Sequence, residues 1–132
     1  MATGQVWTDA GQGYAIDLLD LNTRAGVAAT YYGAWGSSGT TPLVTDTALG
    51  SENAEARTSI PAGSMSQPSS DIVRWVYVIV ATGTRTVQET AVLSLSSGGI
   101  CHLHIVHGSL ALESGDQVTY TDNLRLKDVS EA

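Results

Sequence analysis

The sequence predicts an all-β protein: an antiparallel β-sandwich or jelly roll with a short N-terminal helix and an extended N-terminal arm. Short runs rich in Val, Ile, Thr and Tyr recur about every 8–12 residues, the spacing of sandwich strands. Clusters of Gly, Ser and Pro punctuate them. Leu and Ala at helical spacing are scarce. One domain is expected, with residues 1–26 forming the arm and helix and residues 27–132 forming the sandwich.

The arm, residues 1–13, carries Trp7 and several glycines. The one helix candidate is Tyr14 to Leu21, with apolar residues at 15, 18 and 19 and Gly26 as its stop. Val27–Trp35 reads as a strand between Gly26 and Gly36. Gly36–Pro42 reads as a loop, and Glu52–Ile60 as a strand stopped by Pro61. Ala62–Ser70 is loop-like in composition. Asp71–Thr82 is the strongest strand. Apolar on both faces, it is expected to be central and covered on both sides, with Trp75, Val76, Val78 and Ile79 in the core. Thr86–Leu95 follows with Val87, Glu89, Ala91, Leu93 and Leu95 on one face, then a turn at Ser96–Gly99. Ile100–Ser109 and Gln117–Lys127 complete the set, joined by a turn at Glu113–Asp116.

At 132 residues and 42% hydrophobic, the chain can build a real core. Only 14% of residues are charged, and 6 basic against 13 acidic residues give a net charge of −7. Nucleic acid is therefore excluded as a partner, since phosphate contacts need clustered Lys or Arg. No apolar run is long enough to cross a membrane. The start, Met1 to Trp7, has neither basic residues nor an apolar stretch, so no signal peptide is expected. The single cysteine excludes an internal disulfide.

Chemistry-bearing patterns are few. His102 and His104 are one residue apart on a strand and are expected on one face, a spacing that suits two ligands of one metal ion, with Glu89 as a possible third. The alternative is the polar face of a sheet or a subunit contact, where histidines could make assembly pH-sensitive. Cys101 reads as a small core residue. Asp46, Glu52, Glu55, Asp116 and Asp122 lie near loops without a calcium-loop pattern and read as solvated turn residues. No Gly-x-Ser-x-Gly elbow, phosphate-binding Gly loop or Ser-His-Asp spacing is present, so the enzyme reading, a small metal-dependent enzyme at His102 and His104, is weak. Trp75 reads as core. Trp7 and Trp35, with Tyr31 and Tyr32, read as interface aromatics, and Trp35 beside Ser37, Ser38 and Thr40 could make a sugar platform.

Three segments carry a resemblance. The first is Tyr32-Gly33-Ala34-Trp35-Gly36-Ser37-Ser38-Gly39-Thr40-Thr41-Pro42, followed by Asp46 to Glu52 and Glu55-Ala56-Arg57. The second is Ala81-Thr82-Gly83, then Val87, Glu89, Leu93 and Gly98-Gly99. The third is Leu112 to Tyr120, closing on Leu124 and Leu126. In order and spacing, residues 27–127 resemble small structural proteins of tailed bacteriophages, of the capsid decoration or cement type and the tail-fibre or baseplate type. That group tends to place Gly and an aromatic after the acid of the second segment, whereas Glu89 is followed by Thr90-Ala91-Val92-Leu93. The resemblance implies a non-enzymatic virion protein on the capsid surface, made in the host cytoplasm. It implies no cofactor, the major capsid protein or other virion proteins as partners, and a homotrimer. The alternative it leaves open is a tail-fibre or baseplate module binding host carbohydrate.

Overall fold

The computed structural model describes residues 4–19 and 30–125. In chain order the elements are β1 (Gly4–Trp7), α1 (Asp9–Leu19), β2 (Tyr31–Gly36), β3 (Thr58–Ile60), a 3-10 turn (Ala62–Ser64), β4 (Met65–Ser69), β5 (Ile72–Val80), β6 (Arg85–Leu93), β7 (Cys101–Leu112) and β8 (Gln117–Arg125). A five-stranded sheet runs β1-β7-β6-β2-β3 and a three-stranded sheet runs β4-β5-β8. Every strand pairing is antiparallel. The expected sandwich is therefore the observed architecture. Residues 20–29 and 126–132, which include the expected starts or ends of three elements, lie outside the described residues.

The N-terminal segment departs from the expected extended arm, because its residues 4–7 are a strand of the chain's own sheet. Gly4 to Trp7 pair with Val106 to Leu103 as the edge strand of the larger sheet. The helix begins earlier than the apolar spacing suggested because Thr8 caps it: the Gly11 amide donates to Thr8 Oγ1 at 3.0 Å. Gly11 is needed there, since a Cβ would sit 2.7 Å from the His102 backbone. A further strand, β4, lies where only a loop was expected. Its Pro68 is tolerated because β4 is an edge strand.

The core between the sheets joins Trp35, Ile60, Val87, Val92 and Leu103 to Trp75, Tyr77, Ile79 and Tyr120. A second cluster, Ala34, Leu49, Ala91, Leu93 and Cys101, lies on the opposite side of the larger sheet, beneath the segment 37–51. The strand covered on both faces is thus β6, not β5. In β5 the odd residues Trp75, Tyr77 and Ile79 are buried, whereas Val76 is half-buried and Val78 and Val80 are 39% and 46% exposed. Val76 and Val78 therefore leave the expected core, while Trp75 and Ile79 remain in it. Only one face of the smaller sheet has a covering layer among the described residues.

Two register shifts in the β6–β7 ladder change which side chains share a face. At the first, Gln88 and Glu89 both bond to the segment 37–51, and Val87 turns into the inter-sheet core. Val87 and Glu89 consequently do not share a face as alternation predicted. At the second, His102 is the extra residue between the pairs Val92↔Leu103 and Leu93↔Cys101.

Candidate functional site

The densest polar constellation sits where the segment 37–51 folds over the larger sheet. Glu89 is fully buried. Its carboxylate accepts backbone N–H groups from Ser38 at 3.0 Å, Gly50 at 2.8 Å and Ser51 at 2.8 Å. His104 Nε2 donates to the same carboxylate at 2.9 Å, and His104 Nδ1 donates to Asp46 Oδ2 at 2.7 Å. Two carboxylate acceptors require a proton on each ring nitrogen, so the ring is held as imidazolium. Asp46 Oδ2 also accepts the Leu43 amide at 2.8 Å, which closes the turn at the tip of the segment. Desolvation by burial opposes charge on both partners. The Glu89 and Asp46 bonds nevertheless raise the His104 pKa, and the His104 and backbone bonds lower that of Glu89. Gly36 makes room: a Cβ there would approach Glu89 Oε2 and the Ser51 carbonyl to about van der Waals overlap. The assembly works as an internal latch, in which a buried carboxylate does for backbone amides what a bound anion would do.

Two further buried carboxylates are tied into the frame. Asp122 accepts the Tyr77 hydroxyl at 2.5 Å between the sheets, and Tyr77 also meets Thr90 Oγ1 at 2.7 Å. Desolvation pushes the Asp122 carboxyl up to about 6, offset in part by the Tyr77 bond. Glu55 accepts Trp35 Nε1 at 2.8 Å, the Thr82 amide at 3.1 Å and the Thr82 hydroxyl at 2.7 Å, and pairs with Arg85 at 2.9 Å. Desolvation raises its pKa, but the Thr82 and Trp35 bonds outweigh it and bring the group down to about 2.

The expected histidine pair is not assembled. The second register shift turns the His102 ring toward Tyr31, 5.1 Å away by ring centroids, and Tyr31 in turn packs edge-on to Trp75 at 5.6 Å in the inter-sheet core. His104 instead turns toward the latch. Burial lowers the His102 pKa to about 4, so its ring is neutral. No cluster of three or more His, Cys, Asp or Glu able to hold a metal exists among the described residues. The expectation that Glu89 reaches His104 is realised, but as an ion pair that occupies one ring nitrogen while Asp46 occupies the other.

The aromatic expectations divide. Trp35 is 1% exposed and belongs to the core, which removes it both as an interface residue and as a sugar platform. Tyr31 packs against the core, and Tyr32 and Trp7 are half-buried, Trp7 within β1. Cys101 is buried, and desolvation lifts its thiol to about 12, consistent with an inert core residue. Asp46, Glu55 and Asp122, expected from the sequence to be solvated turn residues, are instead bonded to interior partners. For Asp122 a signal existed: it follows Val118 and Tyr120 in phase on the inner face of β8. Neither the known protein families nor the curated proteins include a match to this chain.

Proposed function

We propose that the chain is a non-enzymatic structural protein of a phage particle, a decoration or cement protein that seats on the capsid surface and bridges capsomers. The observation that supports this reading best is the tip of the latched segment. Leu43 and Val44 are 58% and 48% exposed beside Pro42, yet the chain around them is tied down. Asp46 closes the turn, Asp9 N–H bonds the Val44 carbonyl at 2.8 Å, and the Glu89 cradle anchors both flanks. An apolar tip that is already ordered loses little conformational entropy on docking. Repetition over a shell then turns a modest contact into firm attachment through avidity. The interior carboxylates and His104 spend their bonding on one another and on backbone amides, which favours a structural use over an acid–base one.

The test compares particles assembled with and without the chain. Capsids carrying it should resist heat or chelators better, and equal melting of the two would count against cementing. Leu43→Asp with Val44→Asp should abolish attachment while shifting the isolated protein's stability by no more than about 0.5 kcal/mol, the usual range for surface changes.

A further inference from the structure

We propose that the outer face of the smaller sheet is a two-fold contact through which a second copy of this chain docks. The face consists of Arg74, Val76, Val78 and Val80 on β5 and their cross-strand neighbours Asn123, Thr121, Thr119 and Gln117 on β8. β5 has the composition of a strand covered on both sides, but among the described residues no element covers its outer side, where Val78 and Val80 are exposed. The only carboxylate in β4, β5 and β8 is Asp122, which points inward. Asp71, in the turn before β5, is matched by Arg125, so Arg74 is left as the cation at that end that faces no carboxylate within the two strands.

Its two ends have opposite charge, which is why the occupant is a second copy. At one end lie Arg74, whose Nε donates to Asn123 Oδ1 at 2.8 Å, and Arg125, paired with Asp71 at 2.7 Å. At the other end the β7–β8 turn carries exposed Glu113 and Asp116. That turn is fixed to the end of β5 by the Ala81 amide on the Asp116 carbonyl at 2.7 Å and the Gly115 amide on the Ala81 carbonyl at 2.8 Å. Arg85, the nearest cation to it on β6, is committed to Glu55. From Arg74 to Val80 the strand spans roughly 20 Å, with Val78 near the midpoint between Arg74 and the turn. A two-fold axis at Val78 therefore sets each copy's Arg74 against the other's Glu113 and Asp116, and brings the valines together. Such an isologous contact is self-complementary. Three strands about 4.8 Å apart offer a small face, so the dimer belongs to the weak class that buries under about 1,200 Å² in total.

This inference goes beyond the capsid reading and uses the isolated protein. Sedimentation equilibrium of the full chain over roughly 1–500 μM, spanning the weak end of affinities, should show a monomer–dimer equilibrium. Arg74→Glu should weaken it at least tenfold, because it puts like charges together at both symmetric contacts. Glu113→Arg added to Arg74→Glu in the same chain should restore association, since each copy then offers the swapped pair. Circular dichroism melting confirms that both variants fold. A monomer throughout, a trimer, an unchanged affinity for Arg74→Glu, or no recovery in the double variant would each overturn the proposal, and none of these outcomes bears on whether the chain cements capsids.

Discussion

His104 Nε2 and Glu89 Oε1 lie 2.9 Å apart, between strands that pair His104 with Ala91 and Glu89 with Val106. The contact is thus diagonal across the ladder, and it makes one imidazolium the joint between the sheet and the segment that covers it. Without Glu89, the amides of Ser38, Gly50 and Ser51 would lose their shared acceptor. Without His104, Glu89 and Asp46 would face each other with no intervening charge.

The latch gives stability a defined pH dependence. His104 has its pKa raised in the folded state, so the native protein binds more protons than the unfolded chain above the ordinary histidine value of 6.5. Its contribution is complete below about 6.5 and is lost as pH rises through the folded pKa. His104→Gln should cost about 3 kcal/mol at pH 6, the scale of a broken buried pair, and progressively less toward pH 9. Denaturant unfolding across that range checks it. A constant difference between wild type and variant would show that the ring is not charged in the native state.

Gly36→Ala should loosen the same latch by steric means. The new methyl would collide with the Ser51 carbonyl and with Glu89 Oε2, one of them backbone. Overpacking of this kind costs about 1–3 kcal/mol. The informative readout is hydrogen exchange. The amides of Ser38, Gly50 and Ser51 should lose protection while those of the β5–β8 ladder keep theirs.

How much of this was legible in the sequence follows from where period-two alternation holds. It holds along β8, so Val118, Tyr120 and Leu124 are found inward as expected, and along the odd residues of β5. It fails at the two shifts in the β6–β7 ladder, where one irregularity moves a side chain to the other face. Val87 and His102 depart from simple alternation for that single reason. The exposure of Val78 was illegible for another reason: composition reports what a strand could bury, and not whether this chain supplies the cover. Asp46 lay hidden because its partner is 58 residues away, and nothing local distinguishes a carboxylate that closes a latch from one that is solvated.

Glu55 should govern part of the acid limb of unfolding. Its folded pKa of about 2 lies below its ordinary value of 4.5, so its contribution is present above 4.5 and is lost as pH falls toward 2. Glu55→Gln keeps an acceptor for Trp35 Nε1 but gives up the charge that faces Arg85. It should cost about 1–3 kcal/mol at pH 7 and flatten the decline between pH 4.5 and 2. A variant as steep as wild type over that interval would assign the limb to the other depressed carboxylates, Glu89 and Asp71.

Asp122 works in the opposite direction to Glu55. Its folded pKa of about 6 exceeds the ordinary 3.8, so the native state holds the proton more tightly than the unfolded chain. Stability from this group is complete below 3.8 and lost as pH rises through about 6. Ionising this buried carboxyl at neutral pH therefore costs stability, on the order of 1–3 kcal/mol. Asp122→Asn keeps an oxygen for the Tyr77 hydroxyl and removes the buried charge, at the cost of an amide group that must find an acceptor among buried neighbours. The variant should therefore gain about 1 kcal/mol at pH 7.5 and nothing at pH 4, measured by denaturant unfolding at both values. A loss of stability at pH 7.5 would show that the ionised carboxylate is a favourable partner of Tyr77 rather than a desolvated burden.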